Sequence, residues 1–138
     1  MDLKKAKQYL AENGCTCVLC RGDRLVSSNE RGVRPLLTLL DSGETYAGFS
    51  AADKVVGRAT AFLYCLLQVS AVHATVLSDG AAQVLTENHI PFTCDQRVPG
   101  IRNRTDTGPC PMEQATQGIT EPTAALAAIR NRLRELMG

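Results

Sequence analysis

The chain has 138 residues, enough for a single domain over 1–138 that buries about 70% of the surface its unfolded form exposes. A formal charge of +1, with three Tyr, three Phe and no Trp, excludes the broad basic or stacking surface of a nucleic-acid binder, so any acidic partner is a small molecule. The longest apolar run, ATAFLYCLLQV, is about half of the ~20 residues that cross a bilayer, which excludes a membrane-spanning helix.

The first stretch, MDLKKAKQYLAENG, predicts an amphipathic helix over 2–13 that stops at Gly14. It lacks the apolar core of a secretory leader, so cytoplasmic residence is expected and the six cysteines are read as thiols. Strands are predicted over 15–21 and 24–28, joined by a turn at Gly22 and Asp23. Within CTCVLC, strand alternation sets Cys15, Cys17 and Leu19 on one face and Val18 and Cys20 on the other. Three thiolates then do not converge, and the cysteines are expected as small core residues.

A helix over 31–42 follows. Residues 51–68 carry Val55, Val56, Ala59, Phe62, Leu63, Leu66 and Leu67 at helical spacing, which predicts a central helix that is apolar nearly all round. Next come a strand over 72–78, a helix over 79–88, a strand over 91–98, a polar loop over 99–109, a short helix over 111–117 and a last helix over 121–137. Strand, helix, strand order points to parallel pairing with helices on both faces. Cys65 and Cys94 are expected in the core, His73 inside its strand and His89 at a helix end, all structural. The last helix has a seam of Leu126, Ile129, Leu133 and Leu136 opposite Arg130, Arg132 and Arg134. That seam packs against its own domain or forms a homodimer contact.

Two short segments carry candidate chemistry, and each has a structural account. In GPCPMEQ, Cys110 stands at an N-cap, Pro111 at the first helical position and Glu113 at the third, where its carboxylate can reach back to the cap's N–H. Cys is a poor cap beside Ser, Thr, Asp or Asn. A thiol at a helix start also feels the positive end of the dipole, which favours a nucleophilic thiolate. In SAADK, Ser50 and Asp53 likewise form a capping pair for the central helix.

Lys54 and Arg58, four apart on that helix, repel each other and oppose the dipole. An anion between them removes the conflict; the alternative is pairing with acids such as Asp41 or Glu44. The loop IRNRTDTG adds Arg102, Asn103, Arg104 and Thr107 as further donors leaving a strand end. Cations, an amide, a hydroxyl and helix N–H groups together suit a phosphate or nucleotide-like anion.

The segments GFSAADKVVGRATAFLYCLL and NRTDTGPCPME resemble a small prokaryotic family of uncharacterised proteins with a cytidine-deaminase-like fold. The resemblance runs from TCVLCRGD to CPMEQA and implies a three-layer α/β domain: a mixed sheet of about five strands with helices on both faces and a cleft where two helix starts meet. It implies no reaction. Deaminating relatives hold zinc through a His or Cys with a Glu two residues on, at the start of the central helix, and a Pro-Cys-x-x-Cys at the start of the next. Here SAADKVV and SDGAAQVL stand at those places, so neither zinc nor another cofactor is expected. A mixed Asp53, Cys110 and Glu113 site is the remaining metal reading.

Three functions follow. The first is binding of a nucleotide-like or phosphate-bearing small molecule by Lys54, Arg58, Asn103, Arg104 and Thr107, without zinc. The second is an enzyme with Cys110 or Asp53 as nucleophile and Glu113 or Lys54 as proton donor or acceptor. The third is a protein-interaction module with a vestigial pocket.

Overall fold

The apolar segment SAADKVV decides the architecture, and it is a strand. The computed structural model describes residues 2–30, 32–102, 108 and 110–137. In chain order the elements are α1 (Asp2–Asn13), β1 (Cys17–Arg21), β2 (Arg24–Ser28), α2 (Arg34–Asp41), β3 (Ser50–Val56), α3 (Arg58–Leu67), β4 (Ala71–Ser78), α4 (Asp79–Glu87), β5 (Phe92–Val98), α5 (Pro111–Thr116) and α6 (Pro122–Met137). The predicted central helix over 51–68 is therefore two elements, with Gly57 between them in an extended conformation (φ −96°, ψ −178°).

The reason lies in burial on both faces. Ala51 and Ala52 are each fully buried, one in the cluster beneath α3 and the other in the cluster beneath α1. A strand covered on both sides reads as a continuous apolar run, which periodicity cannot distinguish from a buried helix. β3 is the central strand of a five-stranded sheet ordered β2-β1-β3-β4-β5. β1 pairs antiparallel with β2 and β3, whereas β3, β4 and β5 run parallel. The sheet is mixed, as expected.

α1 covers one face through Ala6 and Leu10. α2, α3 and α4 cover the other, and α5 and α6 lie against α3. Phe62, Leu63, Tyr64, Leu77, Leu85 and Ile129 are fully buried there, each side chain contributing roughly 1.5–3 kcal/mol. α6 seats Ala125 and Ile129 in this core, with Leu126 and Leu133 packed at its edge and Leu136 58% exposed. Its Arg130 bonds Asp41 of α2 at 2.8 Å. Cys15 precedes β1 and packs with Val18 and Cys20 beneath α1, so it does not share the face of Cys17 and Leu19.

The change from helix to strand corrects three expectations. Ser50 and Asp53 are ladder residues of β3, not a helix capping pair. Lys54 and Arg58 belong to different elements and share no helical face, so their mutual repulsion does not arise. Asp41 and Glu44 pair elsewhere, with Arg130 and Arg24.

Candidate functional site

β3 is held between β1 and β4, and this ladder sets Asp53 directly opposite Cys17. Cross-strand neighbours share a face, here the face that carries α2 and α3. Asp53 is 9% exposed. Tyr64 of α3 donates its hydroxyl hydrogen to Asp53 Oδ2 at 2.7 Å, and the Val55 N–H donates to Oδ1 at 3.2 Å. Burial pushes the Asp53 carboxyl up to about 7, the Tyr64 hydroxyl and the Val55 and Lys54 N–H groups opposing the rise. Burial, with the Asp53 carboxylate next, pushes the Cys17 thiol up to about 12. The Tyr64 phenol is raised as well, by burial and then by Asp53.

This group lines a cavity of about 340 Å³, walled by Thr16, Cys17, Asp53 and Lys54 on the sheet side and by Pro35 and Leu36 of α2 on the other. A second cavity of about 180 Å³ adjoins it, lined by Gly57, Thr60, Cys110, Met112 and Glu113. Gly32 and Val55 border both. Val55 is 45% exposed, an apolar side chain standing at the junction.

Glu113 takes a different partner from the one its spacing predicts. Its Oε1 accepts the N–H of Arg58 at 3.0 Å and so caps α3, while the Cys110 N–H donates to the Ile101 carbonyl at 2.8 Å. Gly57 makes this approach fit, because a Cβ there would lie 2.6 Å from Glu113 Oε1. Cys110 does stand at the N-cap of α5, half-buried and without a side-chain cap bond.

Arg58 turns inward. Its guanidinium donates to the carbonyls of Thr116 at 2.9 Å, Ile119 at 2.5 Å and Gly80 at 3.3 Å, to Gln83 Oε1 at 3.3 Å, and lies over the Phe62 ring. It is 8% exposed and does not face the Asp53 cavity, so Arg58 and Lys54 do not form one anion clamp. Asn103, Arg104 and Thr107 lie outside the described residues.

Asp53 and Lys54 thus border the first cavity, and Cys110 and Glu113 the second. Among the described residues no group of three His, Cys, Asp or Glu side chains could hold a metal ion, so Asp53, Cys110 and Glu113 do not gather as a mixed metal site. The helix starts GVRPLL, VGRATA and SDGAAQ carry no His, Cys or Glu. His73 is buried with Nδ1 2.7 Å from Thr93 Oγ1, and His89 is an exposed turn residue at φ +60°. Sequence reasoning missed Cys17, Tyr64 and Gly57 as parts of the site. Nothing local marks them, since their roles arise from strand pairing and helix packing.

The sequence profile TM1506, "Domain of unknown function (DUF1893)", matches residues 5–133. No curated protein matches. Among solved structures, a DUF1893 family protein (TM1506) from Thermotoga maritima is similar with a TM-score of 0.87 at 20% identity, over 95% of this chain and 89% of that one. At that identity the likeness carries the fold alone. No described helix is long and apolar enough to cross a membrane.

Proposed function

The chain belongs to the DUF1893 domain family, and on that premise we propose that it binds a nucleotide-like small molecule in the cleft between β3 and the starts of α2 and α3, on a deaminase-like fold that works without zinc. The observation that carries this reading is Asp53, a buried carboxyl poised near neutrality on the wall of an open cavity. Such a group accepts or donates a proton to a ring edge at physiological pH. Val55, exposed between the two cavities, offers an apolar surface for a planar ring. Lys54, at the wall of the same cavity, is the cation for a phosphate on that ligand. The five-stranded mixed sheet with helices on both faces supports the deaminase-like layout.

A second reading rests on Cys110, whose position beside Glu113 in the adjoining cavity suits a nucleophile acting on a ligand held by Asp53. Cys17 is unsuited to that role, because its raised pKa keeps it a thiol.

Thermal-shift screening with nucleosides, nucleoside monophosphates and nucleotide sugars tests the proposal. A ligand at a hundredfold excess over its dissociation constant stabilises the fold by ~2.7 kcal/mol. At least one phosphorylated compound is expected to raise Tm more than inorganic phosphate does, with Lys54→Ala removing that excess and Asp53→Asn changing its pH dependence near neutrality. No response from any of them leaves the interaction-module function as the better account.

A further inference from the structure

A second opening lies at the carboxyl ends of the three parallel strands, and the cleft at Asp53 does not use it. The turns leaving β3, β4 and β5 bring Arg58, Gly80 and Gly100 around a cavity of about 540 Å³. Crevices at the carboxyl ends of parallel strands are where open α/β sheets take their ligands. Glu113 borders both this opening and the smaller cavity at Cys110, and so divides them.

The charge on its wall is unusual. Arg58 is 8% exposed, yet among the described residues its four acceptors are three carbonyls and the amide oxygen of Gln83, all neutral. Buried charges are ordinarily matched by an opposite charge. Both contacts of its Nη1 are long, at 3.3 Å, and Nη1 points to Gly80 and Gln83, which border the opening. Glu113 is the acid on this wall among the described residues, and its Oε1 is engaged by the Arg58 N–H. The remaining polar wall is Gln114, Gln117 and Thr120, amides and a hydroxyl that can donate to oxygen without adding charge. Among the described residues, a Cβ built on Gly100 meets nothing within 4 Å.

We propose that this opening is a separate site for a small oxyanion, a phosphate or carboxylate group, which docks on the Nη1 edge of Arg58 with the glutamine amides around it. Arg58 keeps its bonds to Thr116 and Ile119, so the site forms without rearranging α5. It is independent of the cleft at Asp53.

The test measures Tm and binding heat with inorganic phosphate and with malonate, each against sodium chloride at equal ionic strength. Gln83→Leu and Gln117→Leu, both exposed residues of the wall, are compared with wild type after circular dichroism shows native folding. The expected result is a Tm rise with phosphate, malonate or both beyond that in chloride, and affinity at least tenfold weaker in each variant. The Lys54→Ala chain is expected to respond as wild type does. No rise beyond chloride overturns the proposal, as does an unchanged response in both glutamine variants. Loss of the response in Lys54→Ala also overturns it, by placing the anion in the cleft at Asp53.

Discussion

Glu113 and Arg58 tie α5 to α3 from both sides: the Glu113 carboxylate accepts the Arg58 N–H at 3.0 Å, and the Arg58 guanidinium donates to the carbonyls of Thr116, the last residue of α5, and of Ile119 beyond it. One residue caps the start of α3 while the other satisfies carbonyls at the end of α5. The short helix that begins at Cys110 is thereby fixed against the start of α3.

Gly57→Ala is expected to cost about 1–2 kcal/mol, mostly through the lost α3 cap. The backbone there is extended and accepts alanine, but the new Cβ would meet Glu113 Oε1 at 2.6 Å and Ile101 Cγ1 at 3.1 Å. The carboxylate can swing away, at the expense of its bond to Arg58. Urea denaturation of Gly57→Ala, Glu113→Ala and the double variant should show a non-additive pair, with the glycine substitution costing less once Glu113 is gone.

Arg58→Lys is expected to destabilise by about 2–4 kcal/mol despite keeping the charge. A lysine ammonium cannot reach acceptors spread over Gly80, Gln83, Thr116 and Ile119. The abandoned carbonyls and the buried ammonium each carry a desolvation cost. Limited proteolysis should cut first within 116–120. Wild-type stability in Arg58→Lys would mean that the guanidinium contacts contribute little.

Asp53 makes stability depend on pH with a definite sign. Its carboxyl rises from 3.8 to about 7 on folding, so the native state binds the extra proton between those values. The contribution is full below pH ~4 and is lost as pH climbs through about 7, a span on the order of 4 kcal/mol. Asp53→Asn, neutral throughout, should match wild type near pH 4, exceed it in stability by pH 5 and exceed it further at pH 8. Parallel denaturation curves for the two chains across that range would contradict the assignment.

Thiol reactivity separates the cysteines. Burial pushes Cys17 to about 12 and Cys65 to about 11, and Cys15 and Cys20 are buried as well. Cys110, half-buried in its cavity, is expected to react with iodoacetamide at neutral pH at least tenfold faster than Cys17 or Cys65. Peptide mapping after timed quenching reads the order. Faster labelling of Cys17 would show that the first cavity opens.

Much of the fold was legible in the sequence because local signals agreed with tertiary context. The first helix ends at Asn13 before Gly14, and the β1–β2 hairpin turns at Gly22 and Asp23. Ser78 caps α4 by accepting the Ala81 N–H at 3.0 Å, and Pro111 opens α5. β3 was illegible for a physical reason, since both its faces are buried and α3 follows after a single glycine. The site suffered from the same ambiguity. Asp53 and Lys54 were singled out as helix residues, and only the ladder that pairs Asp53 with Cys17 shows why the carboxyl is buried. Glu113 was read as a local cap because its spacing fits one, whereas its partner lies 55 residues away.

The placement of α6 bears on how the chain is made. α6 closes the core over α3 with Ala125 and Ile129, both fully buried, and its Arg130 fastens it to Asp41. Synthesis runs from the N-terminus, so the ribosome must deliver the whole sheet before this helix exists. Until then the outer side of α3, with Phe62 and Leu63 among its buried residues, lacks its cover. Nascent chains halted before residue 122 should therefore recruit chaperones that bind apolar segments, and release them once α6 has cleared the exit tunnel.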